Sequence, residues 1–114
     1  MRKIDINTHD LNTVLEILDA HVPDCEVWVF GSRAAGRAKE FSDLDLAIVG
    51  EEPLSATTLA DLKDSFTESD LPFKVDIVDW ADTSQSFRNI ITGQHVVLKK
   101  PVSSEISYKG KRGS

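Results

Sequence analysis

Cysteine is nearly absent. Cys25 is the only one in 114 residues, so no intramolecular disulfide is possible and a cytosolic protein is the simplest reading. Cys25 precedes an apolar stretch and reads as a small packing residue rather than a nucleophile. No apolar run approaches the length of a membrane span, and no signal-peptide pattern opens the chain, so no membrane partner is expected. Positive charge is scarce: 13 Lys and Arg against 19 Asp and Glu leave a net charge of −6. That balance argues against direct nucleic-acid binding through an electrostatic surface. An anionic nucleotide would need a metal bridge and local cations instead. No Cys/His cluster supports zinc. Neither Gly-x-x-x-x-Gly-Lys-Ser/Thr nor Gly-x-Gly-x-x-Gly occurs, which disfavours a P-loop or a dinucleotide fold. Repeats and any sign of a second domain are also missing.

What remains is an ordinary globular composition, 40% hydrophobic and 28% charged, enough for one domain with a single modest core. Thr8 is a plausible N-cap for a helix carrying Leu11, Val14, Leu15 and Leu18, which ends near His21 because Pro23 cannot continue it. His9 and His21 read as surface residues near its ends. Glu26-Val27-Trp28-Val29-Phe30 is apolar, β-branched and aromatic, the pattern of a buried strand. Gly31-Ser32 breaks it, and Arg33-Ala34-Ala35 can open a short helix, a junction where backbone N–H groups approach an anion closely.

A second strand is expected over Ser42–Val49, with Leu44, Leu46 and Ile48 facing a core. Asp43 and Asp45 then share the other face, about 7 Å apart. Two carboxylates beside a phosphate-sized cradle suit Mg²⁺ and a nucleoside triphosphate. Arg33, Arg37 and Lys39 bring cations close to that cradle, and spacing does not decide which of them meets the triphosphate. Ser42 has two equal readings, as a donor to a phosphate oxygen or as the residue that sets the strand entry.

Ser55 can cap a helix with Leu59, Leu62 and Phe66 as its apolar stripe, and Phe73–Trp80 reads as a third strand. On that strand Asp76 stands between apolar neighbours, where a carboxylate is costly unless a metal or a partner satisfies it. Asp79 at the strand end is the competing acidic residue. Trp28 and Trp80 read as strand aromatics in core packing. Thr83 or Ser84 is the expected cap of a last helix with Phe87, Ile90 and Ile91, stopped at Gly93, and His95–Leu98 is a short final strand. The order is α-β-(short α)-β-α-β-α-β, an α/β (α+β) fold with a small mixed β-sheet and helices packed on it. Residues 1–100 form the domain. Residues 101–114 change to Ser, Gly, Lys and Arg without periodicity and read as a flexible tail, whose last six residues look like an expression remnant and whose Tyr108 is a weak candidate for self-modification.

Gly31-Ser32, Gly36 and Ser42-Asp43-x-Asp45-Leu46 together resemble the signature of the DNA polymerase β-like nucleotidyltransferase superfamily. The resemblance spans roughly residues 8–98, and the short length is similar to the minimal nucleotidyltransferase (MNT) group, antitoxins that accompany HEPN-domain toxins. It implies catalytic and metal-binding roles for Asp43, Asp45 and a third acidic residue on the neighbouring strand, the position of Asp76, which would also act as general base. It implies nucleotide binding by Gly31, Ser32, Arg33 and Ser42. Two Mg²⁺ ions about 3.5–4 Å apart would assist attack of a hydroxyl on the α-phosphorus of ATP. The chain has no room for a drug-binding or nucleic-acid-binding domain, so the acceptor must be presented by another molecule. The resemblance implies a tyrosine of a cognate HEPN ribonuclease toxin in a hetero-oligomeric complex. Two alternatives stand beside it: an antitoxin that works by binding alone, and a small-molecule nucleotidyltransferase.

Overall fold

The computed structural model describes residue 4, residues 6–36 and residues 42–101; the expectations for Arg37, Lys39, Tyr108 and the tail beyond Pro101 lie outside the described residues. The first helix, α1, runs Thr8–His21. Its N-cap is Asn7 rather than Thr8, because the Asn7 side chain accepts from the Asp10 N–H at 2.9 Å while its amide donates to the Asp10 carboxylate at 3.0 Å. Val14 and Leu18, one helical turn apart, are fully buried. The helix closes where the Val22 N–H donates to the Leu18 carbonyl, just before Pro23.

Strand β1 covers Glu26–Phe30, and its side chains alternate: Val27 and Val29 are buried on one face, while Glu26, Trp28 and Phe30 lie half-buried on the other. The short helix α2 follows over Ser32–Ala35, then β2 over Leu44–Val49, α3 over Ala56–Glu68, β3 over Val75–Asp79, a 3₁₀ turn over Trp80–Asp82, α4 over Gln85–Gly93 and β4 over His95–Lys99. The four strands form one mixed sheet in the order β3-β2-β1-β4. β1 pairs antiparallel with β2 and β4, whereas β2 and β3 run parallel, which requires the crossover that α3 supplies. The element order and the mixed sheet agree with the sequence pattern.

One face of the sheet makes the core. Val27, Val29, Leu44, Leu46 and Ile48 meet Val14 and Leu18 of α1 and Leu62 and Phe66 of α3. α3 is capped by Ser55, whose hydroxyl accepts from the Thr58 N–H at 3.1 Å, and α4 by Ser84, which accepts from the Phe87 N–H at 3.2 Å. On the opposite face aromatics cover the β1–β4 half. Phe87 of α4 meets Phe30 edge to face at 5.9 Å, and Trp28 stacks on His95 at 4.0 Å and meets Trp80 at 5.0 Å. Arg88 closes over Trp80 and donates twice to its carbonyl. The β2–β3 half of that face carries carboxylates instead.

Strands β2 and β3 are shorter than the sequence pattern predicts, and β4 runs one residue longer, to Lys99. β2 begins at Leu44, not Ser42: β1 ends with Phe30 opposite Asp45 and turns away at Gly31, so Ser42 and Asp43 have no β1 partner. β3 begins at Val75 and ends at Asp79, and Trp80 sits in the 3₁₀ turn rather than in the strand. His21 is more than a surface residue, since its Nε2 hydrogen-bonds the Ser65 hydroxyl at 2.8 Å and ties the end of α1 to α3. Cys25 is a packing residue at the rim of the core, and burial pushes its thiol up from the ordinary value, partly offset by Lys99. Among the described residues no helix is long and apolar enough to cross a membrane.

Candidate active site

The β ladders set one row of side chains across the aromatic-and-acidic face. His95 of β4 lies opposite Phe30 of β1, Phe30 opposite Asp45 of β2, and Asp45 opposite Asp76 of β3. Adjacent strands are about 4.8 Å apart, so the last pairing puts two carboxylates on neighbouring strands at one level. Asp43 is exposed and stands two residues before Asp45, just ahead of the strand. Asp79 is one of the residues of β3 that alternate onto the other face, and its Oδ2 accepts from the Leu54 N–H at 2.9 Å, which ties down the loop before α3. Of the two acidic candidates on β3, Asp76 is therefore the one that meets Asp45.

Burial pushes the Asp45 carboxyl up from its ordinary value, and the Asp76 and Asp43 carboxylates push it further. Like charges held this way are stabilised by a cation, and an all-carboxylate donor set matches a hard divalent ion such as Mg²⁺. Among the described residues no three acidic, His or Cys side chains are already drawn together at ligand spacing. The donor set fits the ion; its closure needs side-chain rotation, which is open to Asp43 and Asp76 because both are accessible. The cost expected of a carboxylate between apolar neighbours is relieved at Asp76, because β3 is an edge strand and the side chain is 43% exposed and paired with Lys74 at 3.6 Å. Lys74 was not singled out from the sequence, although a residue two positions before Asp76 shares its side of an extended chain.

Gly31 sits directly over Asp45. Its φ of 77° and ψ of −154° belong to a backbone region open essentially to glycine alone, and a Cβ there would overlap the Asp45 Oδ2 atom. Gly36, in the left-handed conformation, ends α2. The Ala34 and Ala35 N–H groups both close on the Gly31 carbonyl, so the Ser32 N–H ahead of them lies outside the helix's own ladder. Ser32 thus carries a backbone donor outside that ladder, one residue after the glycine that lies over Asp45.

Arg33 takes a different place from the other cradle residues. It is only 5% exposed, its guanidinium donates to the Ser42 carbonyl at 2.8 and 3.1 Å, and it lies 4.3 Å from the centre of the Phe73 ring. Arg33 and Ser42 therefore clamp α2 to the entry of β2, which holds Gly31 and Asp43 at a fixed spacing. The structure brings together Gly31, Asp45 and Asp76, with Ser32 next to Gly31 along the chain and the Arg33–Ser42 contact joining α2 to the start of β2.

Residues 12–102 match the polymerase beta nucleotidyltransferase family. The chain belongs to that family. It is 51% identical over 98 residues, 86% of each chain, to a protein of Haemophilus influenzae named a probable protein adenylyltransferase, MntA. Among solved structures, it is similar to a toxin–antitoxin determined with AMP-PNP, at TM-score 0.68 and 22% identity, covering 90% of this chain and 82% of that one. It is also similar to the complex of a tri-AMPylated Shewanella oneidensis HEPN toxin with an MNT antitoxin, at TM-score 0.64 and 19% identity, covering 90% and 80%. At such identities the structural likeness establishes the fold, and the nucleotidyltransferase family supplies the reaction class.

Proposed function

We propose that this chain is a Mg²⁺-dependent protein adenylyltransferase that acts as an antitoxin, moving AMP from ATP to a hydroxyl, a tyrosine by the family resemblance, of a cognate HEPN ribonuclease toxin. The observation that carries the reading is the level pairing of Asp45 with Asp76 under the Gly31 backbone. The 51% identity to a protein named an adenylyltransferase supports it, as do neighbours solved with HEPN toxin and with a nucleotide analogue. The site of action is the cytoplasm, where ATP is available and Cys25 stays reduced.

Asp43, Asp45 and Asp76 would hold the Mg²⁺, which supplies charge neutralisation at the phosphates and a lowered pKa for the attacking hydroxyl. The backbone of Gly31 and Ser32 and the Ser32 hydroxyl bind phosphate oxygens and orient the α-phosphorus. Asp76 accepts the proton of the acceptor hydroxyl as its oxygen attacks that phosphorus. The bond to the bridging oxygen breaks, and pyrophosphate leaves. Arg33 and Ser42 keep the nucleotide-facing loop at the right height.

Intact mass of the partner toxin, after incubation with this chain, Mg²⁺ and ATP, tests the reading. A gain of one or more AMP units is expected, and none with an Asp43→Ala, Asp45→Ala variant. A stable complex with no mass gain would instead make this chain an antitoxin that works by binding alone.

A further inference from the structure

The three chain segments that carry the site meet at one buried side chain. Arg33 is only 5% exposed and follows Ser32 in α2. Its Nε and Nη2 atoms donate to the Ser42 carbonyl at 3.1 and 2.8 Å, next to Asp43. Its guanidinium carbon lies 4.3 Å from the centre of the Phe73 ring, just ahead of the strand that bears Asp76. Ser42 and Phe73 flank the first rung of the β2–β3 pair, where the Leu44 N–H donates to the Lys74 carbonyl at 2.8 Å. β1 has already turned away at this level. Arg33 therefore spans the open end of the ladder that levels Asp45 with Asp76.

We infer that Arg33 is a positioning residue: it pins the end of the β2–β3 pair so that side-chain rotation alone closes Asp43, Asp45 and Asp76 on a divalent cation, rather than serving as a cation for the triphosphate. The inference rests on the reading of these carboxylates as the metal site and adds to it the residue that sets their spacing. Strand ends fray first, and Asp43 lies ahead of β2, where the sheet gives it no β1 partner. Burying a guanidinium is costly unless fixed partners offset it, and the partners here are the backbone of one strand entry and the ring of the other. A planar fork can donate twice to one carbonyl while lying over an aromatic face; a lysine ammonium on its flexible stem cannot do both. Coulomb's law gives the reading a sign. A cation near a divalent ion weakens its binding, so loss of the Arg33 charge by itself would tighten the ion. Weaker binding on that loss is the mark of positioning.

Mn²⁺, which takes the same oxygen donors as Mg²⁺, is titrated into the full chain without nucleotide and followed by electron paramagnetic resonance. Three variants are compared with the parent: Arg33→Lys keeps the charge, Arg33→Met keeps the length of the stem, and Phe73→Leu removes only the ring. The Mn²⁺ Kd is expected to rise about tenfold in both Arg33 variants and about threefold in Phe73→Leu. Hydrogen exchange is read alongside. In Arg33→Met the Leu44 N–H should lose protection at least about tenfold, while the β1–β4 amides stay within about twofold of the parent. Phe73→Leu carries the test by itself if the Arg33 variants do not fold. Unchanged or tighter Mn²⁺ binding in the variants would overturn the inference; joined to weaker ATP binding by calorimetry, it would place Arg33 on the triphosphate. An equal loss of protection on every strand would make Arg33 a support of the whole fold and overturn it as well. No Mn²⁺ binding by the parent chain itself would remove the metal-site reading and this one together.

Discussion

Asp45 carries the largest physical tension of any described side chain at the site. It is partly buried, and two further carboxylates surround it, so its carboxyl is pushed up from the ordinary value, first by burial and then by Asp76 and Asp43. A carboxyl raised in the folded state binds its proton more tightly there than in the unfolded chain. Its contribution to stability is then fully present below the ordinary carboxylate pKa and is lost as pH rises through the raised value. Asp45→Asn removes that loss. Without metal, the variant is expected to have a higher Tm than the parent at neutral pH. The gain should be less than the ~4–8 °C that 1 kcal/mol brings to a small domain, because solvent screens a half-exposed carboxylate. The difference should vanish on acidification below the ordinary carboxylate pKa. Thermal unfolding in chelator across pH checks this; a variant less stable than the parent at neutral pH would mean Asp45 makes a structural bond that outweighs the repulsion. AMP transfer should be lost in the same variant, so stability and activity move in opposite directions.

At the scale of elements, the junction of β1 with α2 decides the site. Gly31 and Gly36 both have positive φ, at 77° and 75°, yet among the described residues an added Cβ meets nothing within 4 Å at Gly36 and overlaps the Asp45 carboxylate at Gly31. Gly36→Ala should therefore cost only the left-handed backbone penalty, about 1 kcal/mol. Gly31→Ala adds a backbone region closed to alanine and should cost roughly 1–3 kcal/mol, with Asp45 pushed off its position and transfer reduced at least about tenfold. Urea midpoints and initial rates for the two variants separate the cases; equal costs and equal rates would show that Asp45 moves aside freely. Much of this element was legible beforehand. The apolar run Glu26–Phe30, the Gly-Ser break and the small residues after it gave strand, turn and short helix in order, and the helical spacing of Leu59, Leu62 and Phe66 gave α3. The start of β2 was not legible, because Ser42-Asp43-Leu44 alternates as a strand would and only the lack of a β1 partner shortens it. Arg33 likewise looked like one of several cations near a phosphate. Its burial between Ser42 and Phe73 depends on a residue forty positions away, a contact local pattern does not contain.

For the molecule as a whole, net charge and site chemistry act together. A chain at −6 with clustered carboxylates should be stabilised by a divalent cation, and more so by the cation with ATP. Mg²⁺ with ATP at a hundred times the dissociation constant is expected to add about 2.7 kcal/mol to the parent, a Tm rise of several degrees, and nothing to the Asp43→Ala, Asp45→Ala variant. Thermal shift with and without chelator measures it. An equal rise in the variant would place the nucleotide away from these carboxylates.

The sequence by itself determined the kinds of element, their order and the spacing of Gly31-Ser32 to Asp43 and Asp45, since these follow from hydrophobic period, turn chemistry and motif, all local along the chain. The tertiary structure alone decided that β3 runs parallel to β2 at the sheet edge in a register that levels Asp76 with Asp45, and so selects Asp76 over Asp79 to face it. Strand order and register come from long-range pairing, and a shift of a single residue would turn every side chain of β3 to the other face.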